Sequence, residues 1–523
     1  MMGSSNTLRL EQIEDSYMNS RDLMEALIGF LKSEKGHSMT ISDLERAIQD
    51  GGRELLLSLL QSHLDTRSPG EAAAPVRDAG QMERDRVQLH ERNVETVFGT
   101  ATVTRAGYGA AGKQSLHPLD AALNLPEELY SLEVRRRVAE EAAKNSFDET
   151  MQTIVRNTGA EVPKRQVGEL VVRAAQDFDL FYATRRDCMS AEGATGPIVV
   201  ISVDGKGVVM RREDLRKATR KAAESTTHKM SKRLSRGEKR NAKRMATVAV
   251  TYTIEPHVRS AEDIVRRMAP IRTSEPGKRP APELKRVWAS LKHPPESVIA
   301  EAFNEAGFRD PHRQKSWVAL VDGNKTQIKI LKANAQKTAI DLTIVVDIIH
   351  VSEYLWDAGT AFHNEATPDL EQWVTERLLE ILRGNSSNVA AGMRRSATLR
   401  GLAPNERKPV DTCANYLLKY KPYLRYDEYL ARGFPIATGV IEGACRHLVK
   451  DRMDLTGARW TLAGAEAVLR LRALRSSDDF DEYWGFHEAL EHERNHASKY
   501  AANRPPAVVA THTQEPIRFK RVK

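Results

Sequence analysis

Hydrophobic positions along the chain switch between helical and strand spacing, and the switches divide it into segments. Leu23, Met24, Leu27, Ile28 and Leu31 recur on one helical face, as do Leu55, Leu56, Leu59, Leu60 and Leu64, so residues 7–64 are predicted to be helical. Between 65 and 88 the composition turns to Pro, Gly, Ala and mixed charge, with little to build a core, and predicts a linker. A short strand is expected over 97–104, then long helices from Glu127. Ser146 and Glu149 form a capping box that starts a helix at Phe147, Thr158-Gly-Ala160 ends it, and Pro163 opens another carrying Lys164, Arg165 and Arg173. Two helices joined by a Gly-containing turn have the outline of a helix-turn-helix, and equally of any helical hairpin.

The middle of the chain changes to strand patterning. Ile198, Val199, Val200, Ile201 and Val203 form a β-branched run that meets Asp204, Gly205 and Gly207. Asp204-Gly205 has two readings: a hairpin turn with Val208, Val209 and Met210 returning, or a carboxylate delivered at the mouth of a sheet. A second strand is expected over 246–254, whereas 255–295 offers no clear third. After a helix at 295–307, the run 315–321 repeats the first pattern and ends at Asp322-Gly323. A helix over 325–339 and a strand over 340–346 follow, the latter ending in Asp347-Ile-Ile-His350 before a helix with Tyr354 and Trp356. This order is that of an α/β (α+β) fold, with three aspartates at the carboxyl ends of strands, where sites in such sheets lie.

Residues 359–434 are predicted as a helical insertion, with Leu370, Trp373, Val374, Leu378, Leu379, Ile381 and Leu382 packing one helix. Thr438 is placed to cap the next helix, which buries Ile441, Ala444 and Leu448 and sets Glu442, Arg446 and Lys450 along a neighbouring stripe. An ordinary Glu442–Arg446 helix pair, worth about 0.3–0.5 kcal/mol, accounts for that spacing as well. The implied organisation is a helical unit at 1–65, a linker at 66–96 and a helical region at 97–190. A core then runs over 195–358 with a basic insertion at 211–245, is interrupted by the insertion at 359–434, resumes over 435–495, and leaves a disordered basic tail at 496–523.

Composition adds a charge bias. The 523 residues are 41% hydrophobic and 29% charged, with net charge +8 and pI near 9.2, which favours a polyanionic partner. Fourteen Lys and Arg against four acidic residues crowd into 211–245. Beside the first strand, such cations suit the phosphates of a nucleic acid lying across the sheet, though charge runs are also ordinary solvated faces. Cys188, Cys413 and Cys445 are odd in number and lack metal-site spacing, consistent with a reducing compartment. Met1 to Ser16 has no apolar signal region, and nowhere do eighteen apolar residues run together, so a cytoplasmic, non-membrane location is expected.

Phosphodiester transfer asks for divalent ions held by a few carboxylates, and the set chosen is Asp204, Asp322 and Glu442, the first two from neighbouring strand ends and the third from a packed helix. Asp347 also ends a strand and remains an alternative second ligand.

Ile201-Ser-Val-Asp-Gly-Lys-Gly207, Val318-Ala-Leu-Val-Asp-Gly323, Asp347-Ile-Ile-His350 with Tyr354-Leu-Trp356, and Ala437-Thr-Gly-Val-Ile-Glu-Gly-Ala-Cys-Arg-His447 with Thr456-Gly-Ala-Arg-Trp460 resemble bacterial insertion-sequence transposases of the ISKra family. More broadly they resemble the DDE transposases, with an RNase H-like mixed sheet and a helical insertion before the Glu. The resemblance spans roughly 95–495. It implies Mg²⁺-dependent strand cleavage at insertion-sequence ends and strand transfer into target DNA, with two ions on Asp204, Asp322 and Glu442 and Mn²⁺ as an accepted substitute. Asp347 and His350 match an accessory Asp-x-x-His motif that orients the site or contacts DNA. The implied partners are double-stranded DNA and further copies of the chain, in a nucleoid-associated location. Expected DNA contacts are Lys206, Arg211, Arg212, Lys232, Arg233, Arg236, Lys239, Arg240, Lys243, Arg244, Arg446, Lys450, Arg459 and Trp460. The alternatives are a metal-dependent nuclease on the same fold, or a DNA-binding protein without catalysis.

Overall fold

The computed structural model describes residues 16–188, 195–226, 240–268, 279–455 and 457–509. They fall into two compact units, Met1–Asp177 with Asp481–Lys523, and Phe178–Phe480. Lys232, Arg233, Arg236 and Lys239, together with Thr456 and the chain after 509, lie outside the described residues.

In the first unit, helices Met18–Lys32 and Ile41–Arg67 pack together, and the second lies on a three-stranded antiparallel sheet of β1 (Arg86–Thr96), β2 (Gly99–Ala110) and β3 (Lys113–Leu116). Leu64, Val94, Ala101, Val103 and Leu119 form the core between them. The Gln61 amide both donates to the Thr102 carbonyl at 2.9 Å and accepts from its N–H at 2.8 Å, pinning helix to sheet. Residues 1–65 are therefore no separate unit, and 66–96 is no linker, since it contributes β1 and the buried Val76. Residues 496–509 of the expected disordered tail are ordered. Ala72 pairs with Val508 and Asp78 with Tyr500, itself buried against Val76 and Leu116.

The capping box forms as expected, with Glu149 N–H donating to Ser146 Oγ at 3.2 Å and Ser146 N–H to the Glu149 carboxylate at 3.0 Å. Helices Phe147–Asn157 and Lys164–Ala174 follow, but their cations are already partnered within the unit: Lys164 with Asp148, Arg165 with Glu169, and Arg173 with Glu128. All three are thus ion-paired among the described residues. The region 97–190 also divides differently from expectation, because helix Phe178–Cys188 belongs to the second unit while helix Phe480–Asn495 falls, from Asp481 on, in the first.

The second unit is built on a five-stranded mixed sheet in the order β6-β5-β4-β7-β8, with β4 Ile198–Val209, β5 Lys243–Ile254, β6 Glu283–Ser290, β7 Ser316–Val321 and β8 Leu342–Val346. β4, β5 and β6 are antiparallel, and β4, β7 and β8 are parallel. The hairpin reading of Asp204-Gly205 does not hold. β4 runs straight through both residues, paired with β5 from Ile198 to Val209, so neither is a turn. The unforeseen β6 begins with three exposed residues before its buried Arg286, Val287, Trp288, Ala289 and Ser290, which hides it from a hydrophobic-pattern search. The helical insertion is present as Pro368–Leu382, Ser386–Leu399, Pro404–Tyr420 and Tyr426–Ala431. No helix among the described residues is long and apolar enough to cross a membrane.

Helix Pro295–Arg309 is fastened to the sheet by charge as well as by Ile299 and Phe303. Glu305 lies between Arg286 of β6 and Arg309, with Arg186 at 2.8 Å, and all of Arg286, Glu305 and Arg309 are buried. Tyr182 presents its ring 3.4 Å from the Arg286 guanidinium. Burial alone would raise the Glu305 carboxyl, but Arg286 and then Arg309 outweigh it and hold it down at about 2. Removing one member strands charge in the interior, so Glu305→Gln is expected to lower the unfolding free energy by about 3–5 kcal/mol in urea titration. Since the folded value lies below the ordinary 4.5, the pair's contribution is whole above about pH 4.5 and is lost as pH falls towards 2. The same titration repeated from pH 6 to pH 3 therefore loses stability in the wild type and loses less in Glu305→Gln.

Candidate active site

The parallel register fixes where the three aspartates start. Ile198 lies beside Ser316 and Ser202 beside Leu320, while Trp317 lies beside Leu342 and Val321 beside Val346. Continuing these ladders brings Asp204 level with Asp322, and Asp322 level with Asp347; the ladder does continue at β8, where Asp347 N–H donates to the Val321 carbonyl at 2.9 Å. Asp204 is half-buried within β4, and Asp322 is half-buried just after β7. Gly205 N–H donates to Asp204 Oδ1 at 2.6 Å, and Asn324 N–H donates to Asp322 Oδ1 at 2.8 Å. Among the described residues, the second oxygen of Asp322 has no hydrogen-bond donor.

Glu442 reaches this row from the chain's last third. Its short helix, Gly439–Ala444, packs on β4 and β5, and the chain continues as a π-helical turn over Cys445–Lys450 that also lies against β4. Cys445, one turn after Glu442, donates its thiol to Asp204 Oδ2 at 3.2 Å. Burial, then the Asp204 carboxylate, pushes that thiol well up, so it stays a neutral donor, and Glu442 and Lys206 also act on it. Asp204, Glu442 and Lys206 therefore share one neighbourhood around Cys445, with Lys206 exposed two positions beyond Asp204 in the same strand.

Asp347 is different. It is fully buried at 0% exposure, caps helix Ile348–Gly359 by accepting from Ile349 N–H at 3.0 Å, and accepts the Thr438 hydroxyl on its other oxygen. Burial raises its carboxyl above the ordinary range, against the pull of those donors. Thr438, expected to cap the next helix with its side chain, instead bonds Asp347 and sits 3.2 Å from Glu442 Oε1. His350 does not bond Asp347. Its Nδ1 pairs with Glu353 at 2.9 Å, and although burial pulls the imidazole down, Glu353 and then Asp347 hold it above its ordinary value.

Other expectations change as well. The π-helical turn breaks the Glu442–Arg446–Lys450 stripe: exposed Arg446 turns to Asp451 at 3.6 Å, Lys450 is exposed without an ion pair among the described residues, and no Glu442–Arg446 pair forms. Trp460 was among the expected DNA contacts. It is buried, donates to the Met453 carbonyl at 3.2 Å and lies under Arg452. Arg244 is likewise occupied, bonding the carbonyls of Leu291 at 2.9 Å and Asp214 at 3.2 Å. Trp356 is 41% exposed.

The remaining cations converge. Arg211, Arg212, Arg240, Lys243 and Arg459 line a groove of about 1250 Å³ with Val209, Met210 and Leu215 in it. Its walls are fixed by backbone: Trp460 N–H donates to the Val209 carbonyl, Arg211 N–H to that of Trp460, and Met210 N–H to that of Ala242. Arg212 pairs with Glu224 and Lys243 with Asp454, while Arg211, Arg240 and Arg459 have no ion pair among the described residues. The groove opens at the end of the strand that carries Asp204, five residues on.

Asp204, Asp322 and Glu442 supply only carboxylate oxygens, the hard donors that Mg²⁺ takes while keeping several waters. They do not form a closed cage. Among the described residues, no three His, Cys, Asp or Glu side chains are grouped so as to hold a metal ion by themselves. Cys445 and Thr438 went unforeseen as partners of these carboxylates. For Cys445 the signal was available, since three positions after Glu442 is the next turn of the same face. No protein-family model matches the chain, and no curated protein matches it.

The geometry separates a structural aspartate from two accessible ones, and substitution tests the separation. Asp347→Ala removes a helix cap and one of the two acceptors of the Thr438 hydroxyl, and is expected to lower stability by about 1–3 kcal/mol. Glu442→Gln at an exposed position is expected to stay within about 0.5 kcal/mol of wild type in the same urea titration.

Proposed function

We propose that the chain is a DDE transposase that cuts at insertion-sequence ends and joins the freed ends to target DNA, using the Phe178–Phe480 unit as an RNase H-like catalytic core. The observation that carries this reading is that segments from remote parts of the chain, each bearing a carboxyl group, pack on one sheet. Asp204 and Asp322 start level on adjacent parallel strands, and Glu442 arrives on a helix whose next turn bonds Asp204 through Cys445. Strand order β6-β5-β4-β7-β8, three antiparallel strands followed by two parallel ones, together with a helical block between β8 and the Glu442 helix, is what an RNase H-like core of that family requires.

Divalent ions held by Asp204, Asp322 and Glu442, Mg²⁺ with Mn²⁺ as substitute, would polarise the scissile phosphate and lower the pKa of an attacking water. The chain's own groups do the rest. The Gly205 N–H and the Cys445 thiol fix both oxygens of Asp204, the Asn324 N–H fixes one oxygen of Asp322, and Lys206 stands beside Asp204 as a cation for the phosphate under attack. Arg211, Arg240 and Arg459, free of ion pairs in the groove beyond, neutralise flanking phosphates and set the strand's path towards Asp204. Cleavage by water breaks the phosphodiester to leave a 3′ hydroxyl, and that hydroxyl attacks a target phosphate, displacing another 3′ oxygen, so no covalent protein intermediate is needed. The partner is double-stranded DNA, held by more than one copy of the chain because two ends must be joined, in a cytoplasmic, nucleoid-associated setting.

With end-bearing DNA and Mg²⁺, the wild type is expected to cut and join, and Asp204→Asn to do neither while keeping salt-sensitive DNA binding. Cutting without joining would make the chain a nuclease on the same site, and binding alone a DNA-binding protein without catalysis. Replacing Arg211, Arg240 and Arg459 together by Ala is expected to lower the slope of log affinity against log salt by about 2–3, at roughly 0.9 for each phosphate no longer neutralised. An unchanged slope would take the DNA path out of the groove.

A further inference from the structure

The turn that carries Asp322 is held from outside the sheet. Tyr416 Oη, at the end of insertion helix Pro404–Tyr420, donates to the Asp322 carbonyl at 3.3 Å, and Tyr420 Oη donates to the next carbonyl, that of Gly323. Gly323 has φ of +93°, and a Cβ there would lie 3.0 Å from Tyr416 Oη, so the turn and the two rings are fitted to each other. The rings are braced in turn: Tyr354 stacks on Tyr416 at 4.1 Å between centroids, and Tyr416 meets Tyr420 at 4.7 Å. Tyr416 and Tyr420 are buried, and burial followed by the neighbouring phenols holds the Tyr416 hydroxyl above its ordinary range, so it remains a donor. Further along the same insertion, Tyr426 Oη donates to the Val346 carbonyl at 2.6 Å and Tyr429 Oη to that of Ile344 at 3.3 Å. These carbonyls belong to β8, the edge strand of the sheet, whose outer side would otherwise lack partners.

The geometry points to Tyr416 and Tyr420 as positioning residues for Asp322: their hydroxyls lock two consecutive carbonyls and thereby aim the Asp322 carboxylate for a divalent ion. This rests on the reading of Asp322 as a metal ligand. The insertion would then be part of the active site's frame, acting through backbone, with no side chain of its own touching the reacting atoms. Fixing a ligand's orientation from behind typically controls metal affinity by an order of magnitude or more.

The test uses the full chain and Mn²⁺ alone, with binding read by the loss of free-ion EPR signal. Tyr416→Phe with Tyr420→Phe keeps both rings and removes both hydroxyls, and is expected to weaken Mn²⁺ binding about 10-fold. Tyr354→Phe, which leaves the stack and removes no donor to the turn, should bind as wild type does. A lowered Tm with unchanged Mn²⁺ affinity in the double variant would make the tyrosines merely structural and overturn the inference. Asp322→Asn is measured beside it. If that substitution leaves Mn²⁺ binding intact, the metal-ligand reading fails separately, and the positioning role is then decided by hydrogen exchange at the Asn324 N–H. That exchange accelerates in the double variant if the hydroxyls hold the turn, and stays unchanged if they do not.

Discussion

Parallel pairing of residues 198–202 with 316–320 is the constraint on which the site depends. Side chains on a strand alternate faces, so a slip of one position would send Asp204 and Asp322 to opposite sides of the sheet. The register is protected by what lies on both faces. Val199, Val200, Ile201, Val318 and Ala319 are all nearly or fully buried, and helices Pro295–Arg309 and Gly439–Ala444 pack against this part of the sheet. A parallel pair also needs a long crossover, and here β5, β6 and the Pro295–Arg309 helix all lie between the two strands in sequence. Asp204 and Asp322 thus come level as a by-product of covering the sheet.

Burial then sorts the acids that the register brings together. Asp347, sealed at the edge strand with both oxygens bonded, joins the β8 end to Thr438 and so to the Glu442 segment. Asp204 and Asp322 keep partial access to solvent, and Glu442 is exposed. Asp347, desolvated and bonded on both oxygens, would give up those bonds to bind an ion, whereas half-buried Asp322, with one oxygen free of donors among the described residues, would not. That contrast distinguishes Asp322 from Asp347 on physical grounds that their sequence surroundings, both an apolar run ending in Asp, could not supply.

Much of the sheet was legible because its central strands are β-branched runs that end or pause at Asp, and the insertion was legible because Leu370 to Leu382 repeat at helical spacing. What escaped was polar on one end or bound from afar. β1 opens with four exposed residues and β6 with three, so neither announces a buried face. Residues 497–509 carry few large apolar groups, and their order comes from backbone pairing with 72–78, a partner over four hundred positions away. Among the basic residues, Arg240 lines a groove while Arg244, four positions on, bonds two carbonyls inside the fold. Charge patterning cannot tell those two roles apart, because both are arginines in one cationic run.

The π-helical turn after Glu442 is the least foreseeable element and the one that divides labour within the site. An α-helix continued through Lys450 would have kept Glu442 and Arg446 on one stripe, where Arg446 could neutralise the carboxylate. The wider turn sends Arg446 to Asp451 and drops Cys445 inward onto Asp204. It leaves carbonyls needing donors, and half-buried Arg472 supplies them, bonding Leu448 O at 2.9 Å and His447 O as well. Burial lowers the Arg472 guanidinium to about 10, still well above neutral pH, so the clamp stays charged. Arg472 thus stabilises a local geometry that an ordinary helix would avoid, and the result is an exposed Glu442 with no ion pair among the described residues and an Asp204 fixed by the Cys445 thiol. Among the described residues neither carboxylate is committed to an ion pair, because the π-helical turn has taken Arg446 to Asp451.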